Sequence, residues 1–117
     1  MAAVAMARRV CHERGIDFGN EISYCIRFDD KTNEKTRMRY VTDGVLVREC
    51  LTDPNLSKYN VVILDEAHER SIFTDILFAL VKQAVLKRKG NLKLIVTSAT
   101  LNVDQFSKFF DKCPILQ

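Results

Sequence analysis

Several things this 117-residue sequence has little of exclude whole classes of function. Two histidines leave too few ligands for a Cys/His metal cluster. The four cysteines, Cys11, Cys25, Cys50 and Cys113, stand far apart with no Cys-x-x-Cys pair. That is the pattern of reduced thiols in a cytosolic or nuclear protein, not of a disulfide framework or a zinc site. No apolar run approaches the roughly 20 residues of a membrane helix. The opening Met-Ala-Ala-Val-Ala-Met-Ala has the look of a signal core, yet it runs straight into Arg8 and Arg9 with no basic segment before it. That order is wrong for secretion, and an amphipathic helix is the better reading. Neither sign of charge dominates: the net charge of +3 permits a nucleic-acid partner without demanding one. Glycine is scarce, and none of Gly15, Gly19, Gly44 and Gly90 precedes a lysine, so no Gly-Lys-Ser/Thr phosphate loop lies in these residues.

What is present is ordinary for a folded domain. Hydrophobic residues make up 47% and charged residues 28%, which argues against disorder, and the length suits one domain or part of one. Val4, Ala7 and Cys11, with Ala3, Met6 and Val10, keep helical spacing up to Gly15, a C-cap residue. Residues 22–28 and 37–42 each alternate as strands do, with a polar turn between, and predict a pair in which the second strand returns antiparallel beside the first over 22–28 and 36–42. A short helix is expected over 44–51, ended by Asp53-Pro54. Val61-Val-Ile-Leu64 reads as a strand covered on both faces in a parallel sheet. Ile76, Leu77, Leu80, Val81, Ala84 and Val85 predict a helix over 71–89, with positive charge at its end and Gly90 closing it. Residues 92–96 form a second buried strand, and Asn102 with Gln105 forms a capping box for a helix burying Phe106, Phe109 and Phe110. The second half thus alternates strand and helix, giving an α/β fold with a mostly parallel sheet flanked by helices.

The chemistry concentrates after residue 64. In open parallel sheets, ligands bind at the carboxyl ends of strands, where Asp65 and Glu66 fall. Nucleotide hydrolysis needs a carboxylate toward Mg²⁺ and a base for the attacking water, and Asp65 and Glu66 fit these two roles in turn. Taken alone, the pair reads equally well as a solvated acidic turn. Ser98 and Thr100 alone read as caps of a strand-to-helix turn. Asp43 alone reads as the N-cap of the following helix, and Arg37 and Arg39 as a solvated strand face.

Together these residues resemble the DEAH-box branch of superfamily 2 helicases. Asp65-Glu-Ala-His68 is similar to the name-giving box, extended by Glu69-Arg70 through Thr74-Asp75. Ser98-Ala-Thr100 resembles motif III, Thr42-Asp-Gly44 motif Ib with Leu46-Val-Arg-Glu49 after it, and residues 24–30 the strand and turn between motifs Ia and Ib. Residues 26–30, 42–44 and 53–58 are most similar to the pre-mRNA-splicing type. The resemblance implies an incomplete RecA-like P-loop NTPase domain over 1–117, lacking the Walker A strand and loop and the second motor domain. It implies ATP and Mg²⁺ as cofactors, with Asp65 holding Mg²⁺ through water, Glu66 activating the hydrolytic water, and His68 answering to the γ-phosphate. It implies that Ser98 and Thr100 couple hydrolysis to strand movement, and that Thr42, Asp43, Gly44 and, more weakly, Arg27 contact the backbone of single-stranded RNA.

The partners implied are RNA and proteins of the spliceosome or another RNP, with no membrane, in the nucleus or cytoplasm and the nucleus favoured. The expected function is a fragment of an ATP-dependent RNA helicase, with ATP hydrolysis coupled to RNA unwinding or RNP remodelling. Because the phosphate loop is missing, the chain alone is expected to be inactive, and the edge of strand 92–96 to be an unpaired aggregation hazard. The alternative is a non-catalytic half-domain that binds RNA or a helicase; a fragment of another P-loop ATPase lacks the match to His68, motif III and motif Ib.

Overall fold

A computed structural model of the chain describes residues 2–67, 72–99, 103–110 and 113–116. Along the chain run α1 (Ala2–Arg14), β1 (Ile22–Ile26), β2 (Asp29–Asp30), β3 (Met38–Val41), α2 (Asp43–Thr52), β4 (Val61–Leu64), α3 (Ile72–Lys87), β5 (Lys93–Val96) and α4 (Val103–Phe109). The fold is α/β with mixed sheets, and it divides into two compact units, Met1–Arg48 and Glu49–Gln117.

In the first unit the apolar stripe of α1 buries Ala7 and Cys11 against Ile22, Tyr24 and Ile26. The helix stops where the sequence says it should. Gly15 takes φ 66°, and the amides of Gly15 and Ile16 donate to the carbonyls of His12 (3.2 Å) and Cys11 (3.0 Å), which satisfies two carbonyls the helix leaves without partners. All five residues of β1 are buried, as befits the middle strand of a sheet ordered β2-β1-β3.

The expected antiparallel pairing of 22–28 with 36–42 is not what forms. β1 and β3 run parallel, with Ile22 opposite Met38 and Cys25 opposite Val41, and the antiparallel partner of β1 is the short β2. The reason lies in the polar stretch between them. A two-residue turn at Arg27 and Phe28 folds Asp29 and Asp30 back onto Ile26 and Cys25, so one reversal is already spent. Residues 31–37 then carry the chain to the start of β1, where the amides of Arg37 and Met38 both donate to the Glu21 carbonyl (2.8 and 2.9 Å). The Asn33 side-chain amide holds this return loop by donating to the Gly19 carbonyl at 2.6 Å, and the hydroxyls of Ser23 and Thr36 share a hydrogen bond at 3.2 Å. Arg39 is not on a solvated face either. Its side chain is 12% exposed, donates to the Thr32 hydroxyl at 2.7 Å and pairs with Asp30 at 3.8 Å.

In the second unit β4 and β5 are parallel and in register, Val61 opposite Lys93 and Leu64 opposite Val96. Val62 and Leu64 are buried, as are Leu77, Phe78, Val81 and Ala84 of α3. Burying one such aliphatic side chain contributes about 1.5–3 kcal/mol. The expected cover on both sheet faces is absent among the described residues, for Val61, Ile63 and Ile95 on the other face stay about half exposed. A continuous β-branched run states that a strand is apolar on both sides; it does not supply the second layer. Phe78 of α3 meets Phe110 edge-on with ring centroids 5.6 Å apart, and Phe109 and Phe110 meet edge-on at 4.8 Å. The expected capping box at Asn102 and the burial of Phe106 lie outside the described residues. The basic helix end also does more than suit the helix dipole: the Arg88 guanidinium donates to the carbonyls of Leu56 (2.9 Å) and Tyr59, clasping the loop that leads into β4.

Candidate functional site

The register of β4 and β5 decides what meets at their carboxyl ends. Because Leu64 lies opposite Val96, the next residues, Asp65 and Thr97, emerge side by side. The Thr97 amide donates to the Leu64 carbonyl at 3.0 Å and the Ala67 amide to the Thr97 carbonyl at 2.9 Å, so the parallel ladder continues two steps past the strands. The Thr97 hydroxyl donates to Asp65 Oδ1. Glu66 donates its amide to the same Oδ1 at 3.0 Å and to Thr97 Oγ1 at 3.3 Å. One carboxylate oxygen of Asp65 is thereby fixed, while Oδ2 has no hydrogen-bond partner among the described residues and Asp65 is exposed.

Glu66 adopts φ 56°, the left-handed region, which a non-glycine residue occupies only when its surroundings compel it. The compulsion here is the pair of amide bonds on either side of its Cα, from Glu66 to Asp65 and from Ala67 to Thr97. The turn sends the Asp65 and Glu66 side chains off the strand end in succession, with Ala67 buried beneath (1% exposed). Ser98 follows on the β5 side, half-buried. His68 and Thr100, also expected here, lie outside the described residues. Sequence reading passed over Thr97. Its signal was available: a hydroxyl one residue past a strand, in register with the aspartate of the neighbouring strand.

The donor set suits a hard cation held through water. Asp65 offers one carboxylate oxygen that is already oriented and another that faces outward, the oxygen chemistry Mg²⁺ prefers. No group of three or more potential ligands gathers among the described residues, so a cation here would draw most of its shell from water and from a bound phosphate. A groove of about 640 Å³ opens beside Thr97 and Ser98; its walls are mostly apolar, Leu94, Val96, Phe110 and Ile115 among them, with Lys82 and Ser107 adding polar groups.

The first unit has a comparable rim. Since β1 and β3 are parallel, Arg27 just beyond β1 and Thr42-Asp-Gly44 just beyond β3 leave the sheet at the same end. Thr42, not Asp43, stands at the N-cap: its carbonyl accepts from the Leu46 amide at 3.2 Å, and Asp43 is the first helical residue of α2. Asp43 still places its negative charge in the first turn, where the helix dipole favours it. Phe28, between β1 and β2, is 93% exposed at φ 67°, a turn position that normally calls for Gly or Asn. The Arg27 guanidinium lies 4.8 Å from the centre of its ring. Sequence reading singled out Arg27 and missed Phe28, whose periodicity could not show that it stands on a turn.

No protein-family model matches the chain. Full-length relatives do match, and they define the class: over nearly its whole length the chain is homologous to a segment of the DEAH-box ATP-dependent RNA helicases, the splicing type included. It is 59% identical over 115 residues to the pre-mRNA-splicing factor ATP-dependent RNA helicase prp22 of Schizosaccharomyces pombe, a match that covers 98% of this chain and 10% of that protein. It is 53% identical over 113 residues to the probable ATP-dependent RNA helicase DHX35 of Homo sapiens and of Pongo abelii, covering 96% of this chain and 16% of each relative. The chain therefore spans only a small part of the curated relatives it matches.

Proposed function

We propose that this chain is part of a RecA-like, P-loop NTPase motor domain of an ATP-dependent RNA helicase, in which ATP hydrolysis drives RNA unwinding or RNP remodelling. The observation that carries the reading is the Asp65–Thr97 hydrogen bond at the carboxyl rim of two parallel strands, with Glu66 beside it in a strained turn. When bound, Mg²⁺–ATP would supply the electrophilic phosphorus, with charge on its phosphates neutralised by the cation. Asp65 would help hold the cation through water, using Oδ2. Glu66 accepts the proton of the attacking water, and a general base of this kind contributes typically a hundred- to ten-thousand-fold. Ser98, with His68 and Thr100, is assigned the role of passing the state of the γ-phosphate onward.

Within the first unit, Thr42, Asp43 and Gly44 offer amide and hydroxyl donors to backbone phosphates of single-stranded RNA, and Arg27 adds a cation. Phe28 extends this rim: an exposed ring held under a guanidinium is a surface on which any base can stack. RNA and RNP proteins, in the nucleus, are the partners this reading implies. None of the four glycines precedes a lysine, so the 117 residues alone supply no loop to grip phosphates and are assigned no ATPase of their own.

The test is a graft. The matched 115 residues of Schizosaccharomyces pombe prp22 are replaced by this chain, and RNA-stimulated ATPase is measured with and without Glu66→Gln. The graft is expected to turn over ATP and Glu66→Gln to lose at least a hundredfold. A Glu66→Gln graft as active as its parent sinks the assignment. Tight RNA binding by the isolated chain, coupled with a graft that never hydrolyses ATP, points instead to a non-catalytic binding half-domain.

A further inference from the structure

We propose that Thr97 is a positioning residue for the acidic pair: its hydroxyl fixes the rotamer of Asp65 so that Oδ2, and not Oδ1, is the oxygen presented to a divalent cation. This rests on the reading of the rim as a cation and nucleotide site, and its test separates the two.

The bonding pattern leaves the hydroxyl little choice. A threonine hydroxyl has one proton and two lone pairs. Its proton goes to Asp65 Oδ1, and it accepts the Glu66 amide at 3.3 Å. The Glu66 amide also donates to Asp65 Oδ1 at 3.0 Å. Three groups thus close a small ring in which Thr97 is the only member contributed by the neighbouring strand. The backbone of Thr97 is pinned separately, by its amide to Leu64 and its carbonyl from Ala67, so the hydroxyl is delivered by a rigid ladder. Such a bond to an ionised carboxylate is among the stronger hydrogen bonds. Asp65 is an exposed side chain after a strand, and apart from the Glu66 amide of its own turn the Thr97 hydroxyl is the group among the described residues that bonds its carboxylate.

A positioning role makes claims that a filling role does not. Val is close to Thr in shape but has no hydroxyl; Ser keeps the hydroxyl and drops the methyl. In NMR spectra of the 117-residue chain, the Asp65 Hα–Hβ couplings report one rotamer or an average. The parent and Thr97→Ser are expected to show one rotamer, and Thr97→Val an average, with a shifted Glu66 amide resonance and unchanged amide resonances in α3. Mn²⁺, used in place of Mg²⁺, is expected to broaden the amides of residues 65–67 in the parent and in Thr97→Ser. In Thr97→Val that effect should need roughly tenfold more Mn²⁺, the loss expected for one hydrogen bond to a charged group. A single Asp65 rotamer retained in Thr97→Val overturns the positioning role, whatever the metal does. Mn²⁺ broadening that is missing from the parent, or that survives Asp65→Asn, overturns the cation reading while the coupling result still judges Thr97.

Discussion

Replacing Glu66 by glycine and by alanine removes the same carboxylate and the same side-chain contacts, so the difference between the two variants isolates the backbone. Glu66 sits at φ 56°. For a residue with a Cβ that conformation costs about 1–2 kcal/mol, and glycine escapes the cost. Glycine also loses more freedom on folding, which returns about 0.4–1 kcal/mol of the advantage. The net expectation is that Glu66→Gly is more stable than Glu66→Ala by about 0.5–1 kcal/mol. With a urea slope of about 1–3 kcal/mol per molar, that is a midpoint higher by about 0.5 M. Equilibrium unfolding by circular dichroism in urea, run on both variants side by side, reads the difference directly. If Glu66→Ala proves equal to or more stable than Glu66→Gly, the left-handed turn does not exist in solution, and the geometry drawn for the acidic pair goes with it. A positive result has a functional meaning. It shows that a residue with a side chain is held where the backbone by itself favours glycine, a kind of strain that clusters at functional sites.

Three other expectations can be checked on the chain itself. Asp53 accepts from the hydroxyl (2.7 Å) and the amide (2.9 Å) of Ser57, and these bonds hold its carboxyl below the ordinary aspartate range. A carboxyl depressed on folding stabilises the chain above its unfolded pKa of about 3.9 and loses that contribution as pH falls through the lower, folded value. The acid limb of the stability curve below about pH 4 should therefore flatten in Asp53→Asn, and an unaltered limb refutes the assignment. Cys11, Cys25 and Cys50 are buried, and burial pushes the Cys25 and Cys50 thiols upward, whereas Cys113 is exposed. Iodoacetamide at neutral pH should therefore label Cys113 well before the other three, and uniform labelling of the native chain would contradict the packing. Phe28→Ala should weaken single-stranded RNA binding about fivefold to a hundredfold, by the usual worth of one base–aromatic stack, without favouring any sequence; filter binding that does not change removes Phe28 from the RNA rim.

Much of the fold was written in spacing. The helical stripe of α1 and its stop at Gly15, the strand at 61–64, the helix after 71 and the strand at 93–96 all follow from periodicity and caps, which are local properties. Strand partnership is not local. The sequence at 22–28 and 36–42 shows two alternating runs and a polar turn, and both a hairpin and a parallel return satisfy that pattern. What separates them is the early reversal at Phe28 and the anchoring of Asn33 on the Gly19 carbonyl, both of which depend on three-dimensional contacts. For the same reason Arg39 read as solvated: nothing in its neighbours along the chain reveals that the loop at Thr32 folds over it. At the candidate site, Asp65, Glu66 and Ser98 were legible because motif and strand end coincide. Thr97 was not, because its role is set by the register between two strands and by nothing in its own segment.

The direction of β3 bears on function as well as topology. Had it paired antiparallel with β1, as expected, Arg27 and Thr42 would leave the sheet at opposite ends. At about 3.3 Å per residue, a five-residue strand would part them by roughly 16 Å. A single stretch of RNA backbone could then touch one rim only. The parallel register, with Cys25 opposite Val41, brings both to one edge, along with Phe28 and the start of α2. The same rule operates independently in the second unit, where Leu64 opposite Val96 sets Asp65 against Thr97. In each unit the candidate residues occupy the carboxyl ends of parallel strands, the position at which α/β sheets bind ligands. Strand direction, which periodicity along the chain does not reveal, thus decides that Arg27 and Thr42 share one edge of the sheet.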